Sequence, residues 1–527
     1  MRFLVASSAS VLAFSSTLAS ALTLPYPFGP AVNETKCNGK DYVYEELTGY
    51  GYVPNDARDK FGDTIGGFGS AIAIDRSSWI NYGLFYKGIL WGLPDRGWNT
   101  EGTLNYQNRL HKFEITLTPN PFATADQPGN PNLQFKYLDS ILLTDPTGTP
   151  TCGLDADIKG PYKTFPGIPV DIPSAHYTGD GFGGDGPGGY RVVIDSEGLF
   201  LGHDGSFWIS DEYGPYVYHF DKSGKMIGAI RPPDAIVPLR NNSESFSADS
   251  PPRYDPSLAP IPADNPTGRD NNQGFEGLTV NPQGTKLYTL LQSATNQDGG
   301  LQKNRYTGNS RLVVYDITTA QPTYEAEYVV QLAHTVPNDT TTKVARQSEI
   351  HYVSDTQFMI LAHDNDAGAG QADTESIYRH VDIFDISNAT NVKGATHDCS
   401  TCQIASSSKG VLNSDITPAQ YCSWLDFNVN SQLNKFGAHN GGAMDSGLLN
   451  EKWESLALVP VHPLLSAFWP GDQEYFLFAM SDNDFITQNG YINFGKLPYK
   501  DASGYNLNNQ ALVFKVKLPA NSKPLVS

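Results

Sequence analysis

Downstream of about Gly66 the apolar residues fall in short runs of about four to eight positions. These runs either alternate with polar residues or stay continuous, and they stop at Gly, Pro, Asn or Asp. Hardly any stretch sustains the 3.6-residue apolar period of an amphipathic helix. Short β-branched and aromatic runs bounded by turn residues predict strands, so the chain reads as all-β.

The runs recur in a fixed phrase. A small or acidic residue opens an apolar strand and a turn follows; a second apolar strand ends in acidic residues, and an aromatic strand ends in Asp or Lys. Five copies can be read. The first runs through Gly66 to Asp75, Gly88 to Gly97 and Arg109 to Ile115, and the second through Glu197 to Leu199, Phe207 to Gly214 and Tyr216 to Asp221. The third runs through Gly274 to Val280, Lys286 to Leu291 and Arg311 to Asp316, and the fourth through Ser348 to Ile350, Phe358 to Asp366 and His380 to Asp385. The fifth runs through Trp453 to Leu458, Tyr475 to Asp484 and Ala511 to Val516. Each supplies about three or four strands, the content of one propeller blade. Closing repeated sheets into a ring protects their edges. Tyr42-Val43-Tyr44 and Leu133-Gln134-Phe135 read as parts of further blades, so the expectation is a β-propeller of about six or seven blades. A two-sheet sandwich fits this many repeats poorly.

Composition supports one repeated domain. The 527 residues include 50 Gly and 36 Pro with 12% aromatic residues, and no linker or compositional break divides them after residue 22. Met1-Arg2, the apolar stretch Phe3 to Leu18 and the small residues Ala19-Ser20-Ala21 read as a signal peptide over residues 1–21, leaving 22–527 as a single exported domain. The expected location is therefore extracellular or in the cell wall. Lys515, Lys517 and Lys523 interrupt any apolar tail that a lipid-anchor signal would need. Asn33, Asn241, Asn338 and Asn388 each begin an Asn-x-Ser/Thr sequon, the acceptor for N-glycosylation. Five cysteines, Cys37, Cys152, Cys399, Cys402 and Cys422, predict structural disulfides with at least one thiol left over. Cys399-Ser-Thr-Cys402 lacks the second pair or His cluster of a zinc site.

A formal charge of −20, from 36 basic and 56 acidic side chains, argues against a nucleic-acid or anionic-membrane partner and suits a protein that collects cations. Equivalent points of the repeats carry carboxylates where strands begin or end: Asp95, Asp211, Glu212, Glu276, Glu349, Asp364, Asp366, Glu454, Asp482 and Asp484. In a propeller these points converge on the axis. Converging carboxylates repel unless they share a proton or a cation, and hard oxygen donors select a divalent ion such as calcium. Turn capping explains any one of them but not their recurrence. Asp364 to Glu375 has the outer spacing of a calcium-binding loop, but Gly368 and Ala369 occupy its inner positions and no helical pattern flanks it.

The phrases Asp95-Arg96-Gly97, Ser210-Asp211-Glu212-Tyr213-Gly214, Gln273-Gly274-Phe275-Glu276-Gly277-Leu278, Ser348-Glu349 and Trp453-Glu454-Ser455-Leu456 resemble those of the phytase-like family, also called the esterase-like activity of phytase family. The resemblance runs from about Gly66 to Lys517 and is that of a secreted, fungal-type member. It implies a propeller-like domain whose Glu and Asp residues carry phosphoesterase activity.

The residues themselves suggest metal-assisted hydrolysis. Arg96 is of the type that clamps a phosphate oxygen, a metal on the acidic ring would activate water, and Glu276 or His363 would move protons. The expected function is a secreted, monomeric, metal-dependent phosphoesterase acting on a small phosphorylated substrate. The alternatives are a calcium-dependent lactonase or carboxylesterase acting on a small ester, and a non-enzymatic propeller that binds cell-wall glycans. The chain has no Gly-x-Ser-x-Gly elbow, no His-Glu-x-x-His helix and no phosphate-cradling Gly-x4-Gly-Lys-Ser/Thr loop, and Arg379-His380 is not followed by the Gly-x-Arg of a histidine phosphatase.

Overall fold

In the computed structural model, which describes residues 30–302, 306–336, 343–365, 367–463 and 473–526, each of the five phrases contributes to one antiparallel sheet. The expected signal peptide, Asn338 and Asp366 lie outside the described residues. The first sheet comprises Ala71–Asn81, Tyr86–Leu93, Arg109–Leu117 and Leu133–Leu142. The second comprises Ser196–Leu201, Phe207–Asp211, Val217–Phe220 and Met226–Ile230. The third comprises Phe275–Val280, Lys286–Leu291, Asn309–Asp316 and Thr323–Gln331. Arg346–Tyr352, Gln357–His363, Arg379–Asp385 and Gln420–Asp426 form the fourth.

The fifth sheet is built from both ends of the described chain. Trp453–Pro460, Glu474–Ser481 and Asn509–Lys517 pair in order, and Lys40–Val53 adds the outer strand. This placement corrects the expected assignment of two segments to further blades. Tyr42 to Tyr44 and Leu133 to Phe135 are outer strands of the fifth and first sheets and start no blades of their own. Among the described residues these strands form three separate four-stranded sheets and one nine-stranded sheet that joins the first and fifth groups. Their innermost strands touch in sequence, first to second and so on, and the fifth touches the first, so the arrangement is a closed, propeller-like ring.

Packing follows the same ring. Each gap between neighbouring sheets holds its own hydrophobic cluster. Ile72 and Ile74 face Val459 and Phe478 of the fifth sheet, while Ala71 and Ala73 face Leu199 and Ile209 of the second. An inner strand is therefore covered on both faces, which is why Phe275–Val280 is buried throughout and reads as a continuous run rather than an alternation. The outer strands of the first and fifth sheets meet at one parallel bridge, Gly51 to Leu133, where a Cβ on residue 51 would overlap the Leu133 carbonyl.

Disulfides secure the closure. Cys37–Cys422 ties the hairpin Asn33–Cys37, which pairs with the closing strand, to the fourth sheet; Cys399–Cys402 spans three residues, and Cys152 is a buried free thiol. Asn33, Asn241 and Asn388 are exposed. No helix among the described residues is long and apolar enough to cross a membrane.

Candidate functional site

Four inner strands share a local irregularity. Each begins with a bulge, and the extra residue is Glu197, Glu276, Ser348 or Glu454 in turn. A bulge leaves one residue out of the pairing ladder and re-aims its side chain. All four line one cavity of about 310 Å³ at the axis. The residues closing the second strands, Asp95, Glu212, Gln292 and His363, line it from the next position outward. Glycine follows the bulged Glu197 and Glu276 because the next inner strand is close: a Cβ on Gly277 would lie 2.8 Å from the Ile350 nitrogen, and one on Gly198 would overlap the Leu278 side chain.

Eight carboxylates line the cavity (Asp95, Asp195, Glu197, Glu212, Glu276, Glu451, Glu454 and Asp484) against three cationic side chains, Arg96, Arg346 and Lys452. Lys452 lies 3.0 to 3.3 Å from Asp484, Glu454 and Asp482 and offsets that side of the ring. Arg96 lies 3.2 Å from Asp195, and it also donates to Asn272 and to the Tyr213 hydroxyl. Ligand oxygens of Asp195, Glu197 and Glu212 lie within 4.8 Å of one another, and so do those of Asp95, Asp482 and Asp484.

These acids are short of partners. Both carboxylate oxygens of Asp195, Oε1 of Glu212, Oε2 of Glu276 and Oε2 of Glu454 are buried and accept no hydrogen bond. A desolvated carboxylate without donors favours its protonated form. Burial pushes Asp195 up to about 7, with the Glu212 charge adding to it and Arg96 opposing. Burial raises Glu276 well above the usual carboxylate range, and the neighbouring Glu212 and Glu454 charges raise it further. Glu197 and Glu454 are raised by burial in the same way, and Glu451 reaches about 7. His363 is driven the other way by burial, to about 4, and is neutral at physiological pH. Its Nδ1–H donates to the Asp364 carbonyl, 2.7 Å away.

Of the residues expected from the sequence, the fold brings Asp95, Arg96, Glu212, Glu276, His363, Glu454 and Asp484 to the cavity. It uses the others as clamps. Asp211 accepts from the Asp195, Tyr213 and Gly214 amides and the Tyr218 hydroxyl. Glu349 accepts from the Leu278 and Ile350 amides, which links the third and fourth inner strands. Asp364 closes the turn at Ser376, Ile377 and Tyr378, so its carboxylate is committed to that turn. Asp482 receives Ser70 and the Asp484 amide as well as Lys452. Five of the charged lining residues lie outside the expected set: Asp195, Glu197, Arg346, Glu451 and Lys452. Glu197-Gly198-Leu199 repeats Glu276-Gly277-Leu278, a signal that marks Glu197 from sequence alone.

The family profile described as "Phytase-like: Esterase-like activity of phytase" matches residues 64–485. An uncharacterized secreted protein of Arthroderma benhamiae is 54% identical over 470 residues, 88% of this chain and 91% of its own. Among solved structures, a gluconolactonase from Xanthomonas campestris aligns over 94% of this chain and 99% of its own at 9% identity and a TM-score of 0.24. An α-L-arabinofuranosidase of Fusarium graminearum aligns over 89% and 98% at 9% identity and a TM-score of 0.26. Likenesses this remote carry no argument about activity.

Proposed function

We propose that this chain, which belongs to the phytase-like family, is an exported hydrolase that holds a divalent cation, calcium first, in its axial cavity and cleaves small phosphoesters. One observation carries the reading: buried carboxylate oxygens of Asp195 and Glu212 that accept no hydrogen bond, Asp195 having only the Arg96 ion pair at 3.2 Å, in a group whose ligand oxygens lie within 4.8 Å of one another. Such a donor set is all hard oxygen and anionic, which fits calcium, magnesium or manganese rather than a soft metal. Asp195, Glu197 and Glu212 would hold the ion, because Lys452 already offsets the Asp482 and Asp484 side. A divalent ion there supplies Lewis acidity and a water of lowered pKa.

The chain's own residues cover the remaining needs of phosphoester cleavage. Arg96 and Lys452 bring positive charge to the cavity wall, where phosphoryl oxygens would lie. Glu276, held protonated by burial, is suited to give its proton to a leaving oxygen. A volume of about 310 Å³ suits a small substrate. The relative from Arthroderma benhamiae is a secreted protein, and the disulfides fit an oxidising compartment, so we place this chain outside the cell.

The test is turnover by chelator-treated protein resupplied with calcium, magnesium or manganese, against phosphomonoesters, phosphodiesters and inositol phosphates. Metal-restored hydrolysis of at least one class is expected. Absence of turnover on the whole panel with every ion, in protein shown to be folded, overturns the assignment.

A further inference from the structure

The fourth inner strand departs from its neighbours at the bulge. Where the second, third and fifth place Glu, it places Ser348, and the second-strand residue beside it is His363. Ser348 Oγ and His363 Nε2 are 3.3 Å apart, and both residues line the axial cavity. The Asp364 carbonyl can only accept, so His363 Nδ1 must carry the hydrogen that bonds to it. In the neutral ring this leaves Nε2 unprotonated and facing the hydroxyl. A hydroxyl, a base within reach and a third group fixing the base's tautomer are the elements of an activated serine nucleophile.

We propose that Ser348 is a nucleophile for acyl transfer from small carboxylic esters, with His363 as its general base. The Ser348 proton passes to His363 Nε2 as Oγ bonds to the acyl carbon. The departing alkoxide takes that proton and leaves as the alcohol. A water then gives a proton to His363 and attacks the acyl-serine; Oγ leaves, recovers the proton, and the free acid is released. No step needs the divalent cation, so this activity stands apart from the phosphoester reading. The phosphoester reading takes Glu276 rather than His363 as its proton donor, and Asp364 supplies only its backbone carbonyl here, its carboxylate being held by the turn at Ser376 to Tyr378.

The experiment uses the full folded chain in chelator with a small dialkyl fluorophosphate, which loses fluoride as a serine oxygen bonds to phosphorus. Intact mass should rise by one dialkyl phosphoryl group, and peptide mapping of wild-type protein should place it on Ser348. Ser348→Ala should take up none, with an unchanged circular dichroism spectrum. His363→Gln should label at least about 100-fold more slowly, the low end of general-base contributions. Wild-type protein should also release nitrophenol from p-nitrophenyl acetate in chelator. No adduct in folded wild-type protein, an adduct on another residue, or labelling of His363→Gln at the wild-type rate would each overturn the proposal. Because the cation is absent throughout, intact labelling beside failed phosphoester turnover would sink only the metal reading.

Discussion

Replacing Asp195 with Asn should stabilise the metal-free protein while abolishing its cation site. In the fold, burial holds the Asp195 carboxyl at about 7, against about 3.9 for an unperturbed aspartate. Between those values the folded chain binds more protons than the unfolded chain, so stability falls as pH rises and the loss is complete above the folded value. Three units at about 1.4 kcal/mol each put the penalty near 4 kcal/mol at pH 8, with the pull of Arg96 already included. Asn carries no charge at any pH, and neither Asp195 oxygen accepts a hydrogen bond that the change would lose. In chelator at pH 8, Asp195→Asn should therefore unfold at a higher denaturant concentration than wild type, by up to about 4 kcal/mol in unfolding free energy, and the gap should close by about pH 4. Calcium affinity, followed by calorimetry, should fall at least about tenfold, or about 1.4 kcal/mol, with one of three carboxylates gone. A variant that is less stable than wild type at pH 8 in chelator and binds calcium undiminished would refute both the origin of the penalty and the placement of the ion.

Two further substitutions separate clamps from cavity acids. Glu349→Ala strands the Leu278 and Ile350 amides and should cost about 2 to 4 kcal/mol in urea unfolding, while calorimetric calcium affinity stays at the wild-type value. Breaking Cys37–Cys422, which closes a loop of 385 residues, with Cys37→Ser should cost about 2 to 5 kcal/mol. Opening Cys399–Cys402, which spans only three residues, should cost less than half as much; non-reducing thermal melts of the two variants make the comparison.

The cavity acids show where sequence reasoning reaches and where it stops. Asp211, Glu212, Glu276 and Glu349 all sit at strand ends of the repeat and look alike as letters. Their roles differ by one position of register. Glu276 is the bulged residue and aims at the axis, whereas in the fourth sheet the bulge falls on Ser348, so Glu349 turns toward the Leu278 amide. A side chain's face flips with each residue of a strand, and no composition or spacing reports where the ladder skips one. Lys452 shows the same limit: a lysine beside Trp453 is unremarkable until Asp482 and Asp484, just past the end of the next strand, arrive within 3.3 Å.

By itself the sequence determined the all-β class, the repeat, the thiol left over and the recurrence of carboxylates at matching points, because short apolar runs, turn residues and recurring acids are local properties. It could not count the blades. Tyr42 to Tyr44 has the pattern of a strand wherever it pairs, and only the closing of the ring assigns it to the fifth sheet, beside Asn509–Lys517. Ring closure and the choice of which acid is bulged, which is clamped and which is offset by Lys452 are decided by contacts between residues hundreds of positions apart. Those contacts exist only once the sheets have packed and excluded water from the axis.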